Sequence, residues 1–125
     1  MGLDTTHDAW HGAYSGFNRF RHAVADAAGI NLDEHWNSTT LTDDMLHTGD
    51  WEPTDPLFTL LDHSDCEGHI VWQRLTPLAD RLESLLPNLE ESVAPYRGWG
   101  PRGWTEQFIH GCRDAARQQE NLGFH

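Results

Sequence analysis

The stretch THDAWHGAYSGFNRFRHAVADAA, from Thr6 to Ala28, carries the first long periodic pattern of the chain and decides its fold class. Thr6 is a suitable N-cap, and Gly29 is a usual C-terminal stop. The pattern predicts one long amphipathic helix over residues 6–28, in which Gly12 and Gly16 are weak positions that indicate a break or a close approach by other backbone. Apolar residues recur along it at alternating spacings of three and four: Trp10, Ala13, Phe17, Phe20, Val24 and Ala27.

Two more helices are predicted towards the C-terminus. TPLADRLESLLP, residues 76–87, has Thr76 as a cap and Pro77 at the first helical position, and Pro87 ends it. Its buried stripe is formed by Leu75, Leu78, Leu82 and Leu85. The last helix is predicted from about Thr105 to Glu120 by a second apolar stripe. That stripe consists of Phe108, Ile109, Cys112, Ala115 and Ala116.

The remaining segments have weaker patterns. Residues 30–55 predict an ordered, largely irregular layer that Trp36 and Trp51 attach to the core, with one short helical turn after Thr42. A short helix is expected after the cap and first-position pair Asp55 and Pro56. HIVWQ, residues 69–73, is typical of a short strand, and residues 95–104 of a loop. The prediction is a mainly α fold with a minor β element, organised as a single compact domain over residues 1–125 with long ordered loops.

Composition narrows the range of functions. The 125 residues suit one ordinary core, and 20 acidic residues against eight basic ones give a formal charge of −12. This charge repels DNA, RNA and anionic membranes, so broad nucleic-acid binding is not expected. The sequence has no basic-then-apolar leader and no apolar run near the roughly 20 residues of a membrane span. We therefore expect a cytoplasmic protein without membrane attachment, whose two cysteines are free thiols.

A polar stripe beside the apolar face of the first helix is the first candidate site. His7 and His11 are four residues apart, the spacing at which two imidazoles on one helix can chelate a metal ion. Tyr14, Asn18 and Arg21 continue the stripe, and Asp4 can fold back beside it. The alternative is that these are solvated or partly packed polar side chains.

The segment HSDCEGH, residues 63–69, is the second candidate site. His63, Asp65 and Cys66 are zinc ligands by type, and His7 and His11 would complete a tetrahedron if the two segments pack together. A calcium loop is excluded, because its required glycine and glutamate positions do not match. Cysteine catalysis at Cys66 is disfavoured, since the neighbouring carboxylates oppose thiolate formation. The alternative is a polar turn with Cys66 buried as a small apolar residue.

The third candidate site is YRGWGPRGW, residues 96–104, in which aromatic residues alternate with arginines. Trp99 can stack on a base, and Arg97 and Arg102 can receive phosphate oxygens. A nucleotide-sized ligand would use both kinds of contact. The alternative is that the aromatic side chains cover the edge of the core while the arginines pair with carboxylates.

Four segments together resemble a family of short, uncharacterised proteins from high-GC bacteria and their phages: GLDTTHDAWHGAYSGF, LLDHSDCEG, LADRLESLLP and FIHGCRDAARQQENLGFH. The resemblance implies no assigned reaction. Members of that family often carry cysteine at the position of Ala9 and aspartate at that of Glu67, so it implies no metal ligand at position 9 here. The setting it implies is phage counter-defence, in which small accessory proteins bind a defence protein or sequester a nucleotide signal.

Three functions follow from these patterns. The leading hypothesis is a small-ligand-binding protein, which sequesters a nucleotide-derived signal in a pocket between the start of the first helix and HSDCEGH. Its proposed contacts are Asp4, His7, Trp10, His11, Tyr14, His63, Asp65, Arg97, Trp99 and Arg102.

The second hypothesis is a metal-dependent hydrolase, with zinc as the candidate ion. Its ligands would be drawn from His7, His11, His63, Asp65 and Cys66. The third is an acidic interaction module that inhibits a basic partner, although its carboxylates are scattered along the sequence. Homo-oligomers are compatible with all three.

Overall fold

The structure, a computed structural model, describes residues 2–38, 41–65, 67–89 and 100–125. Within these ranges the chain is mainly α-helical, which confirms the predicted fold class. The buried apolar residues form one continuous core. The α-helices of the described ranges are α1 (Tyr14–Ala27), α2 (Leu32–Ser38), α3 (Asp43–Thr48), α4 (Phe58–Leu61), α5 (Leu75–Leu85) and α6 (Pro101–Arg117).

Two small antiparallel sheets accompany the helices: β1 (Gly2–Asp4) pairs with β2 (His11–Ala13), and β3 (Gly68–Ile70) pairs with β4 (Leu122–Phe124). An isolated bridge between Thr5 and Phe124 links the sheets. Asp4 and His125 also exchange two backbone hydrogen bonds, of 2.9 and 2.8 Å. The end of the chain therefore lies between the N-terminal hairpin and the segment after His63.

The predicted first helix is wrong over its N-terminal third, because α1 begins at Tyr14 and not at Thr6. Residues Thr6–Asp8 form a 3-10 turn in which His7 has a φ of 59°, and β2 follows. Gly12, with a φ of 155°, pairs with Leu3 across the hairpin. The break expected at the glycines is thus present, and the turn replaces the helix because β1 pairs with β2.

Close packing against α6 also holds the turn. A Cβ atom added to Gly111 would lie 2.4 Å from Ala9 Cβ, so Ala9 rests directly on the α6 backbone. Trp10 lies in the core, stacked on Phe20 at a ring-centroid distance of 5.3 Å. The apolar pattern is therefore buried as predicted at Trp10, although the local backbone is not helical.

The start of two other helices differs from the start predicted by the local capping and loop residues. α5 begins at Leu75, so Thr76 is not its cap, although its predicted leucine stripe is buried. α6 begins at Pro101, four residues before the predicted start, and takes in part of the predicted loop. The helical turn after Thr42 is confirmed as α3, whereas α2 and β4 were not predicted.

The core is built mainly where α1 and α6 face α5. Phe17, Phe20 and Phe108 are fully buried there, and Phe20 and Phe108 lie 5.4 Å apart between ring centroids. Cys112 is fully buried beside them, and burial raises the pKa of its thiol far above the ordinary value. Cys112 is therefore a core residue and not a nucleophile. None of the helices in the described ranges has the length and apolar character needed to cross a bilayer.

Candidate functional site

A cleft of about 350 Å³ lies where α1, α2 and α3 meet the segment after α4. Its apolar wall is formed by Trp36, Leu46 and Leu61, and its polar lining by Arg21, Asp62, His63, Ser64 and Asp65. Two predicted site residues, His63 and Asp65, are thus brought together here. Arg21, expected on the polar stripe of the first helix, lies here as well, whereas Asp62 and Trp36 were not predicted as site residues.

Arg21 is the central buried cation of this cleft, with 6% of its surface exposed. Its Nη1 donates to the carbonyl oxygens of Leu61 at 3.2 Å and His63 at 2.9 Å. The guanidinium carbon lies 5.0 Å from the ring centroids of both Phe17 and Trp36. The buried Nε has no hydrogen-bond partner among the described residues. This Nε is enclosed, so the unpaired donor belongs to a lining residue of the cleft but does not itself face the open space.

Asp62 is the second buried charge-bearing group, and its side chain is 1% exposed. Both carboxylate oxygens lie 2.8 Å from Nε2 of His35, whose ring stacks on Phe58 at 4.2 Å. Burial raises the pKa of the Asp62 carboxyl, and the hydrogen bond from His35 opposes that shift. Burial likewise lowers the pKa of the Arg21 guanidinium, against the attraction of Asp65 and Asp62. Two buried groups of opposite charge, Arg21 and Asp62, thus both line the cleft.

His63 fixes the course of the chain after α4. Its ring is held between two carbonyl oxygens, with Nδ1 2.8 Å from that of Ser64 and Nε2 2.7 Å from that of His69. It also packs on Phe124 at 4.1 Å. A neutral imidazole carries one N–H, so it can donate to only one of these carbonyls at a time. Burial lowers the pKa of His63 and so favours that neutral form.

This lowered pKa predicts a loss of stability on acidification. The unfolded chain takes up a proton near the ordinary pKa of about 6.5, whereas the folded chain does so only at lower pH. The contribution of His63 is therefore complete above that value and lost as the pH falls below it. The free energy of unfolding should fall by up to about 1.4 kcal/mol per pH unit between about pH 6.5 and the lowered pKa.

Urea unfolding at a series of pH values checks this expectation in two variants. His63→Gln should flatten the pH dependence, and His110→Gln, at an exposed position of α6, should leave it unchanged. Both variants keep Asp62, whose raised pKa acts in the opposite direction, so its contribution cancels in the comparison. Equal pH dependence in the wild type and in His63→Gln would show that His63 does not titrate on unfolding.

His7 lies in a different environment. Its Nδ1 is 2.7 Å from Oδ2 of Asp114 on α6, and its Nε2 is 3.7 Å from Glu120. The hydrogen bond from His7 is the main reason that the pKa of Asp114 is lowered. The helical His7 and His11 pair expected from their spacing is thus wrong, because neither residue lies on an α-helix.

Asp4 and His11 form an exposed ion pair across the β1–β2 hairpin, beside a shallow concavity of about 370 Å³. The hydrogen bond to Asp4 raises the pKa of His11. Trp10, predicted as a pocket wall, is a core residue with 6% of its surface exposed. Tyr14 is partly buried against the same core. The hairpin residues and the cleft residues therefore line two separate concavities.

The remaining predicted residues are only partly covered by the structure. Cys66, Arg97 and Trp99 lie outside the described residues. Arg102 lies on the first turn of α6, where its Nε is 3.7 Å from Glu106. In the ranges that the structure describes, no group of three or more histidine, cysteine, aspartate or glutamate side chains is arranged to hold a metal ion. The zinc hypothesis, which includes Cys66, stays a prediction.

Comparisons of the chain with protein-family models, curated proteins and solved structures give no match. The family resemblance therefore stays a prediction too.

The sequence did contain a signal that Arg21 is buried and not part of a solvated polar stripe. Arg21 follows Phe17 by four positions and precedes Val24 by three, so it lies within the apolar stripe of α1. A charged residue in such a stripe needs a buried partner. Its partners here are backbone carbonyl groups at the end of α4, and no periodic pattern specifies them.

Proposed function

We propose that this protein binds a small molecule in the cleft around Arg21, Asp62 and Asp65. The observation that carries the proposal is the convergence of Arg21, Asp62 and Asp65 in one cleft beside the apolar wall. Arg21 and Asp62 are both buried, and buried ionisable groups that line a cleft are typical of binding sites. The combination of an apolar wall with a few convergent polar groups is typical of small-molecule sites.

The lining favours a planar ligand that has both hydrogen-bond donors and acceptors, such as a nucleobase. Trp36 and Leu46 would cover an apolar face, while the carboxylate of Asp65 would accept from an amino group. Arg21 supplies the complementary donor. A nucleotide-derived signal fits this description, and Arg97 or Arg102 stays the arginine predicted from the sequence to contact its phosphate groups. Sequestration in a counter-defence setting would require tight binding without turnover.

Native mass spectrometry of untagged protein, before and after denaturation, is the first test, and a co-purifying organic mass is expected. Calorimetric titration with adenine- and guanine-containing mononucleotides and cyclic dinucleotides then measures affinity. We expect one of these probes to bind with a Kd below about 10 μM and to be recovered unchanged.

Variants assign that binding to the cleft. Asp65→Asn should weaken the bound probe about tenfold, or about 1.4 kcal/mol. Asp26→Asn removes the same charge from an exposed position of α1 outside this lining and should leave the affinity unchanged. A wild-type protein that carries no organic mass and binds every probe more weakly than about 1 mM would overturn the proposal.

A further inference from the structure

α3 is held in place largely by hydrogen bonds of its backbone. Its Asp43–Thr48 segment has no buried residue. The carbonyl oxygens of Leu46 and Thr48 accept hydrogen bonds from Ser64 N at 2.9 Å and Val71 N at 3.0 Å. Thr42 caps the other end by accepting from Met45 N at 3.4 Å. A helix this short does not persist in isolation, so these bonds fix its position while its side chains stay available.

The available side chains combine apolar and acidic groups. Met45 and Leu46 are partly exposed on the helix, as is Trp51 after it. Exposed carboxylates lie beside them, and we refer to these seven residues together as the α3 surface. The carboxylates of the α3 surface are Asp43, Asp44, Asp50 and Glu52. An apolar centre with a charged rim is the usual composition of a protein-docking surface.

The segment that contains the α3 surface, residues 22–73, is strongly negative. Residues 22–73 contain eleven of the 20 acidic residues and none of the eight arginines. The side-chain ion pairs inside this span use histidines, as in His47 with Glu67 at 3.2 Å. The net charge is therefore concentrated in this span, because its eleven acidic residues face no arginine while the other nine are nearly balanced by the eight arginines. Such a field attracts positive partners over distances of about 10 Å.

We propose that the α3 surface docks a positively charged, amphipathic segment of a partner protein. Leucine-like side chains of the partner would cover Met45 and Leu46, while its arginines or lysines would meet the four carboxylates. Complementary charge argues for this occupant over a second copy of the chain, because two copies with a formal charge of −12 each would repel one another. The proposal goes beyond the small-ligand function. Leu46 borders both the cleft and the α3 surface, whereas the other six residues of the α3 surface do not line the cleft.

The test uses the full chain and two fluorescent peptides of identical leucine and arginine composition, one amphipathic and one with the order scrambled. We expect the amphipathic peptide to bind at least about tenfold more tightly, by anisotropy, and to lose about tenfold in affinity between 50 and 300 mM salt. Equal affinity for both peptides would overturn the proposal, because binding would then depend only on the net charge of the peptide and not on its amphipathic order. Concentration-dependent dimerisation that Met45→Ser abolishes would also overturn it, in favour of a second copy.

Charge variants locate the binding. Asp43→Asn with Asp44→Asn should weaken the amphipathic peptide about tenfold, and Asp50→Asn with Glu52→Gln provides the same test outside the helix. The matched control, Asp8→Asn with Glu106→Gln, removes two exposed charges beyond residues 22–73 and should have little effect. A control that weakens binding as much as the α3 variants would refute a localised surface. Calorimetry with the nucleotide probes separates this outcome from failure of the cleft.

Discussion

Gly68→Ala is expected to destabilise the fold by about 2–5 kcal/mol, the sum of backbone strain and overpacking. Gly68 opens β3 with a φ of 96°, where an L side chain is strained. Its added Cβ would lie 2.2 Å from the carbonyl oxygen of His47, which is backbone and cannot rotate away. Relief would require β3 to separate from α3, and β3 also carries β4. Urea unfolding measures the effect.

Gly29→Ala is the matched control, because it separates strain from crowding. Gly29 also has a left-handed φ, of 76°, but no atom lies within 4 Å of its added Cβ. This variant should lose only the strain, about 1–2 kcal/mol. If the two substitutions cost the same, crowding at His47 contributes nothing, and the close approach of α3 to β3 would be refuted.

Arg21→Met should cost about 3–5 kcal/mol, although methionine can follow the same path between Phe17 and Trp36. The loss arises because the Leu61 and His63 carbonyl groups keep their polarity and lose their donor. Asp62 would also lose the nearby positive charge that favours its ionised form. The midpoint of urea unfolding should fall accordingly.

Arg19→Met is the control for that variant, since Arg19 is exposed on the same helix. It should change the free energy of unfolding by no more than about 0.5 kcal/mol. Equal stability of the two variants would mean that packing between the rings compensates for the lost hydrogen bonds. Arg21 would then be dispensable for folding, and its conformation would have to be explained by ligand binding alone.

The sequence was most informative where burial follows a regular period. The α5 leucines and the α1 residues Phe17, Phe20 and Val24 are buried as their spacing predicts. Trp10 is the exception in backbone conformation. It continues the same apolar spacing and is buried, but it lies in the β1–β2 hairpin and not on a helix. A periodic apolar pattern predicts which side chains are buried. It does not distinguish between two backbone conformations that bury the same side chains.

The candidate site was predictable only in part, for a related reason. His63 and Asp65 were identified by residue type and lie in one cleft. His7 and His11 were assigned to the same pocket, but β1 and α6 provide their partners instead. Arg21 and Asp62 contribute to the site through contacts between segments about forty residues apart. Such contacts leave no local pattern in the sequence.

By itself the sequence determined the mainly α class, most of the helical residues of the core and the acidic character, since these depend on composition and local period. Only the tertiary structure decided where α1 begins, how α3 is held and which polar groups meet around Arg21. Those features depend on backbone pairing and on buried donors finding distant carbonyl groups. The physical reason is that a buried polar group must be satisfied wherever a partner lies in space, not in sequence.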